Sequence, residues 1–195
     1  MHDNNEFDRE ASETREVTGV VAEKGFDLKK EIFEWVSSIV IAIIVALILK
    51  NYVVTLVRVD GTSMVPTLQN AERLVVVRLG YKPQSGDIVI FHPPNGREPY
   101  VKRIIGMPGQ EIFIDNSTGK VYVDGDELDE PYINNKTTSG ASQFTVPENH
   151  VFVMGDNRMN SHDSRRADVG YISFDAIMGK AVFRVWPLSQ IGTLK

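Results

Sequence analysis

The chain has 195 residues, 42% hydrophobic and 24% charged, with a formal net charge of −5 and no cysteine. The missing cysteine excludes disulfides, thiolate catalysis and cysteine-based zinc sites. No basic stripe is present, which speaks against nucleic acid as a partner, and the length allows one ordinary domain plus an anchor.

The first 28 residues carry eight acidic and three basic side chains, so the net charge resides there and the remainder balances. A segment this polar buries too little apolar surface to fold alone. Residues 1–31 therefore read as an acidic, disordered cytosolic tail that solubilises the chain.

From Trp35 to Leu49 no residue is charged, and only Ser37 and Ser38 are polar. Counted from Ile32 the run has 18 residues, interrupted by Glu34. As a helix it reaches roughly 27 Å, close to a bilayer core. Trp35 and Tyr52 fall where amphipathic aromatics settle at the two interfaces. A removable leader needs small residues just beyond its apolar core, and Lys50-Asn51-Tyr52-Val53-Val54 supplies none. The expectation is a transmembrane anchor over residues 32–52, with a buried soluble helix as the competing reading. Lys24, Lys29 and Lys30 against Lys50 and Arg58 give a slight bias to a cytoplasmic N-terminus. The rest of the chain then stands on the extracytoplasmic face of the cell membrane.

Residues 53–195 read as mainly β. Thr55–Val59, Leu74–Val77, Ile88–Phe91 and Val101–Ile105 are short, rich in β-branched residues and bounded by turn formers. Ile112–Ile114 and Val121–Val123 flank Asp115-Asn116-Ser117-Thr118-Gly119, a hairpin signal. His150–Met154 and Ala181–Trp186 complete the set. Residues 131–147 are polar and read as a small loop insertion. Many short strands favour a coiled or barrel-like antiparallel sheet.

Ser63 follows a strand, stands beside Gly61 and precedes Pro66. Glycine permits tight backbone geometry near a substrate, and proline fixes the turn. Alone, such a serine more often satisfies a turn. Lys102 shares a strand face with Tyr100 and Ile104. Lysine beside apolar neighbours is partly desolvated, which lowers its pKa, and a neutral amine can deprotonate a serine. Its bland alternative is an edge lysine reaching to water. Asp156 and Asp163 lie among Arg158, Arg165 and Arg166, which favours bidentate ion pairs with Arg165 or Arg103 over a metal. His92, His150 and His162 leave a Ser-His-Asp arrangement as an alternative.

Ser63-Met64-Val65-Pro66-Thr67-Leu68, Tyr100-Val101-Lys102-Arg103-Ile104-Ile105-Gly106-Met107-Pro108-Gly109 and Gly155-Asp156-Asn157-Arg158 through Ser161, Asp163, Ser164 and Arg165 follow one apolar run in this order. Together they resemble the bacterial type I signal peptidases in their small single-anchor form, from about Trp35 to Trp186. The resemblance implies a membrane-bound serine endopeptidase that removes signal peptides from secretory preproteins, cutting after small residues at −1 and −3 through an acyl-enzyme. It implies Ser63 as nucleophile, Lys102 as general base and Ser161 as the hydroxyl that orients the amine. Met64, Leu68, Leu74, Tyr100 and Val101 fall where the family lines shallow substrate pockets, and Asp156, Asp163 and Arg165 support the site. No cofactor or metal is implied. Gly61 stands where other members carry an oxyanion-hole serine, so the second oxyanion donor stays open.

Overall fold

The computed structural model describes residues 28–48, 53–94, 96, 98–115, 117–133 and 142–194. Most of the acidic tail and residues 49–52 of the expected anchor lie outside them.

Helix α1 spans Leu28–Ile48, so the last residues assigned to the tail are already helical. Ser37 and Ser38 donate their hydroxyls to Glu34 O at 2.9 and 2.8 Å. The polar side chains of the apolar run are thus satisfied on their own helix. Phe33 and Trp35 are each 72% exposed. Lys29, Lys30, Glu31 and Glu34 crowd the first turns, and among the described residues no helix is long and apolar enough to cross a membrane.

The β-rich part holds strands β1 (Val54–Arg58), β2 (Arg73–Val77), β3 (Ile88–Phe91), β4 (Tyr100–Gly106), β5 (Glu111–Asp115) and β6 (Lys120–Val123). There follow β7 (Asp126–Glu127), β8 (Ser142–Thr145), β9 (His150–Met154), β10 (Ile172–Ser173), β11 (Ile177–Trp186) and β12 (Gly192–Thr193). The expected coiled sheet resolves into two. The larger runs β1-β2-β11-β3-β4-β9-β10, with β12 paired to β11, and the smaller runs β7-β6-β5-β8. Every pairing among the described residues is antiparallel. Register shifts along β11 and between Ile104 and Gly106 mark bulges, which bend and twist a sheet locally.

The reading from β-branched runs and turn formers located most strands within a residue or two. It failed over 131–147, where Ser142–Thr145 is a strand paired with β5, setting Phe144 opposite Ile112. Its one large apolar residue, Phe144, packs on Phe152 with ring centroids 4.6 Å apart. A single aromatic in a polar run has no periodicity, and the strand is stabilised by its neighbour rather than by its own pattern.

Three apolar clusters fill the interior. Val59, Met64, Leu68, Leu74, Val76, Ile88, Ile90 and Ala181 form the one beneath the Ser63 turn. Val89, Phe91, Ile104, Val151 and Val153 pack on the other face of the large sheet. Ile105, Ile112, Ile114, Phe152 and Met154 join the large sheet to the small one. Strand β4 is thus covered on both sides, and its residues from Lys102 to Gly106 are all buried.

Candidate active site

Beyond β1 the chain turns back at Gly61, whose φ of +90° favours glycine. Val65 N donates to Thr62 O and Leu68 N to Met64 O, closing a compact turn over residues 62–68. Met64 and Leu68 are buried in the cluster below and anchor this turn. Ser63 directly precedes Met64, with its hydroxyl left at the cleft surface.

Lys102 stands in the middle of the large sheet, opposite Val89 of β3. It is 4% exposed. Its Nζ lies 2.8 Å from Ser63 Oγ and donates to Val101 O at 3.0 Å. The Tyr100 ring centroid is 5.0 Å away. Burial pulls the Lys102 pKa down to about 8; Asp163 and Asp156 resist this and Arg165 reinforces it. Desolvation is therefore the dominant influence on a lysine held against a hydroxyl, and it raises the neutral amine fraction.

The segment after β9 braces this pair. Asn157 N donates to Ser63 O at 2.9 Å, and Asn157 Nδ2 to Thr62 O at 3.1 Å. Asn160 Nδ2 donates to Thr62 Oγ1 at 2.8 Å. Asp156 accepts from Arg103 Nε and Nη2 at 3.0 and 2.8 Å and from Thr67 Oγ1 at 2.5 Å. One buried carboxylate thus joins the Ser63 turn to the Lys102 strand. Asp163 accepts from Arg165 Nε and Nη2, each at 2.8 Å, and from Gly155 N at 3.0 Å. Burial pushes the Asp163 carboxyl up, but Arg165 and the Gly155 amide counter it, and the carboxyl stays below the usual range.

An open cleft of about 540 Å³ contains the pair. Met64, Tyr100 and Val101 line it together with Val57, Gly61, Ser161 and His162. Leu68 and Leu74 do not belong to its walls; both are fully buried in the core cluster. Their positions in the segments match a lining role, but the turn and the alternation of β2 aim them inward. Ser161 lines the cleft, yet its buried Oγ has no hydrogen-bond partner, so the expected bond with the amine is not formed. Lys102 Nζ gives its hydrogens to Ser63 and Val101 instead. Gly61 N donates to Asn70 Oδ1 at 3.0 Å, which removes that amide as a second oxyanion donor. His162 borders the cleft, but its Nε2 pairs with Asp168 at 2.8 Å rather than with Asp163. The Ser-His-Asp alternative therefore lacks its geometry.

Local sequence assigned no role to Thr67, Asn157 or Asn160, although all three lie in the quoted segments. Nor did it single out Glu130, which pairs with the buried Arg158. Glu130 sits in a polar stretch without local signal, and only the fold brings it to the site.

The chain is similar to several known proteins. The family model described as "Signal peptidase, peptidase S26" matches residues 32–186. A signal peptidase IB of Staphylococcus aureus is 37% identical over 184 residues, covering 84% of this chain and 94% of its own. A probable signal peptidase I-1 of Synechocystis is 38% identical over 167 residues, covering 80% of this chain and 83% of its own. Among solved structures, a signal peptidase I from Enterococcus faecalis is 30% identical at a TM-score of 0.45, covering 51% of this chain and 97% of that one. The chain belongs to the signal peptidase family, peptidase S26.

Proposed function

We propose that this chain is a Ser-Lys endopeptidase that removes N-terminal signal peptides from secretory preproteins. The single observation carrying this reading is the buried Lys102 amine 2.8 Å from Ser63 Oγ at the base of an open cleft. Family membership supplies the reaction class. Ser63 Oγ attacks the scissile carbonyl while Lys102 Nζ takes its proton. The tetrahedral intermediate collapses to an ester on Ser63, and the ammonium returns its proton to the leaving amine, which is the new N-terminus of the mature protein. Water, deprotonated by the same amine, hydrolyses the ester and frees the signal peptide.

The cleft walls include Val57–Arg58 of β1 and Tyr100–Lys102 of β4, strand backbone suited to an extended substrate held by main-chain hydrogen bonds. Met64 and Val101 narrow the space beside the dyad, which favours small side chains at −1 and −3. The apolar run from Ile32 to Leu49 anchors the enzyme in the cytoplasmic membrane, with the catalytic part outside. Tethering enzyme and substrate to one surface raises their effective concentration.

The test is cleavage in detergent micelles of a preprotein carrying an Ala-x-Ala site, by wild type, Ser63→Ala and Lys102→Ala. Cleavage after the second Ala by wild type, with both variants folded and inert, is the expected result. A Lys102→Ala enzyme cutting at the wild-type rate would refute the dyad.

A further inference from the structure

Two buried arginines lie behind the dyad, and one short stretch of chain touches both. Glu130 accepts from Arg158 Nη1 at 2.8 Å and pairs with Arg158 Nη2 through its other oxygen. Their side chains are 5% and 0% exposed. Arg158 Nε in turn donates to Gly155 O at 3.2 Å, beside Asp156. Two residues after Glu130, the Tyr132 hydroxyl donates to Glu130 Oε1 at 3.0 Å. The Tyr132 ring lies flat enough to receive the Arg103 guanidinium 3.9 Å from its centroid. The other side of Arg103 is fixed by Asp156 and by Gly86 O at 2.8 Å.

We infer that Tyr132, seated by Glu130, is a positioning residue for the dyad, holding Arg103 against Asp156 and so fixing the electrostatic field at Lys102. The inference rests on the reading of Lys102 as the general base. A cation over an aromatic face is attracted more strongly when desolvated; here Arg103 is buried and Tyr132 half-buried. Burial and then the Glu130 charge push the Tyr132 hydroxyl up, so it stays a donor and keeps its seat. Without the ring, water reaches the Arg103–Asp156 pair and the guanidinium is free to leave.

The groups facing Lys102 are Ser63 from the turn after β1, Tyr100 from its own strand, Asp156 after β9, and Asp163 and Arg165 beyond Ser161. Asp156 favours the ammonium. A carboxylate less neutralised by Arg103 favours it more, and water entering the site relieves desolvation in the same direction. Both effects raise the pH at which Lys102 becomes neutral.

The experiment uses the full chain in detergent micelles with lysine labelled by 13C at Cε, the Lys102 signal being identified by its loss in Lys102→Arg. Wild-type Lys102 should titrate at about 8. Tyr132→Met should titrate at least about half a unit higher, and the acid limb of kcat/KM should follow, giving a roughly threefold loss at pH 7 with an unchanged alkaline plateau. Tyr132→Phe, which keeps the ring face, should match wild type. A Tyr132→Met titration at the wild-type position, or a uniform loss of rate at every pH, overturns the inference. So does a Tyr132→Phe enzyme displaced as far as the Met variant. Tyr132→Leu supplies the same comparison if the Met variant fails to fold. If wild type cuts no preprotein while the titration still moves, the proposed function fails and the positioning role stands.

Discussion

Ser63 Oγ and Lys102 Nζ are 2.8 Å apart although 39 residues separate them. Neither reaches toward the other from a flexible loop. Ser63 is fixed by a turn anchored in the core, and Lys102 by pairing on both sides of β4. A hydroxyl and an amine held this way need little reorganisation before proton transfer.

The pH dependence follows from the Lys102 environment. With the amine at about 8, kcat/KM should rise about tenfold per pH unit below that value and level above it. Steady-state cleavage of a signal-sequence peptide from pH 6 to 10 measures this. A limb near the unperturbed histidine value, roughly 6.5, would move attention to His162.

Lys102→Met should abolish cleavage, a fall on the order of 10²- to 10⁴-fold, while stabilising the fold at neutral pH. The sign follows from the lowered pKa. Burial penalises the ammonium, so the penalty is fully present below the folded value of about 8. It fades as pH rises toward the unfolded value, because there the unfolded chain binds more protons. The variant should gain about 1–3 kcal/mol at pH 6.5 and nothing near pH 11. Urea denaturation at the two values checks it, and equal effects at both would contradict the cause.

Gly155 is enclosed. A Cβ there would fall well inside contact distance of Ser63 O and Ser161 Oγ. The first is backbone of Ser63 itself, not the far end of a flexible side chain that could swing away. Gly155→Ala should therefore displace Ser63 and lower kcat/KM by on the order of 10²-fold, since misplacement of about 1 Å has that effect. A near-native rate would show that the turn yields.

Asp156→Asn leaves Arg103 buried with its charge unmatched and weakens the tie to Thr67. Breaking a buried pair by removing one partner costs about 3–5 kcal/mol. Thermal unfolding should show the largest drop among single changes in this segment. Asp60→Asn, on an exposed residue away from the pair, should change stability by less than about 0.5 kcal/mol.

By itself the sequence determined what depends on local order. Short β-branched runs bounded by turn formers placed β3 and β9 to the residue, because strand preference and turn chemistry act through near neighbours. The segments around Ser63, around Lys102 and from Gly155 to Arg165 carried the family resemblance that implies the chemistry, since each motif lies within a short run. Tertiary structure alone decided which way those residues face. Leu68 and Leu74 stand in the right segments but turn into the core, and Ser161 reaches the cleft without binding the amine. Strand β8 exists because β5 offers it an edge. Glu130 and Tyr132 come to Arg158 and Arg103 across 28 or more positions of chain. Such contacts arise from the packing of two sheets, where free energy depends on the partner surface and no single segment records it.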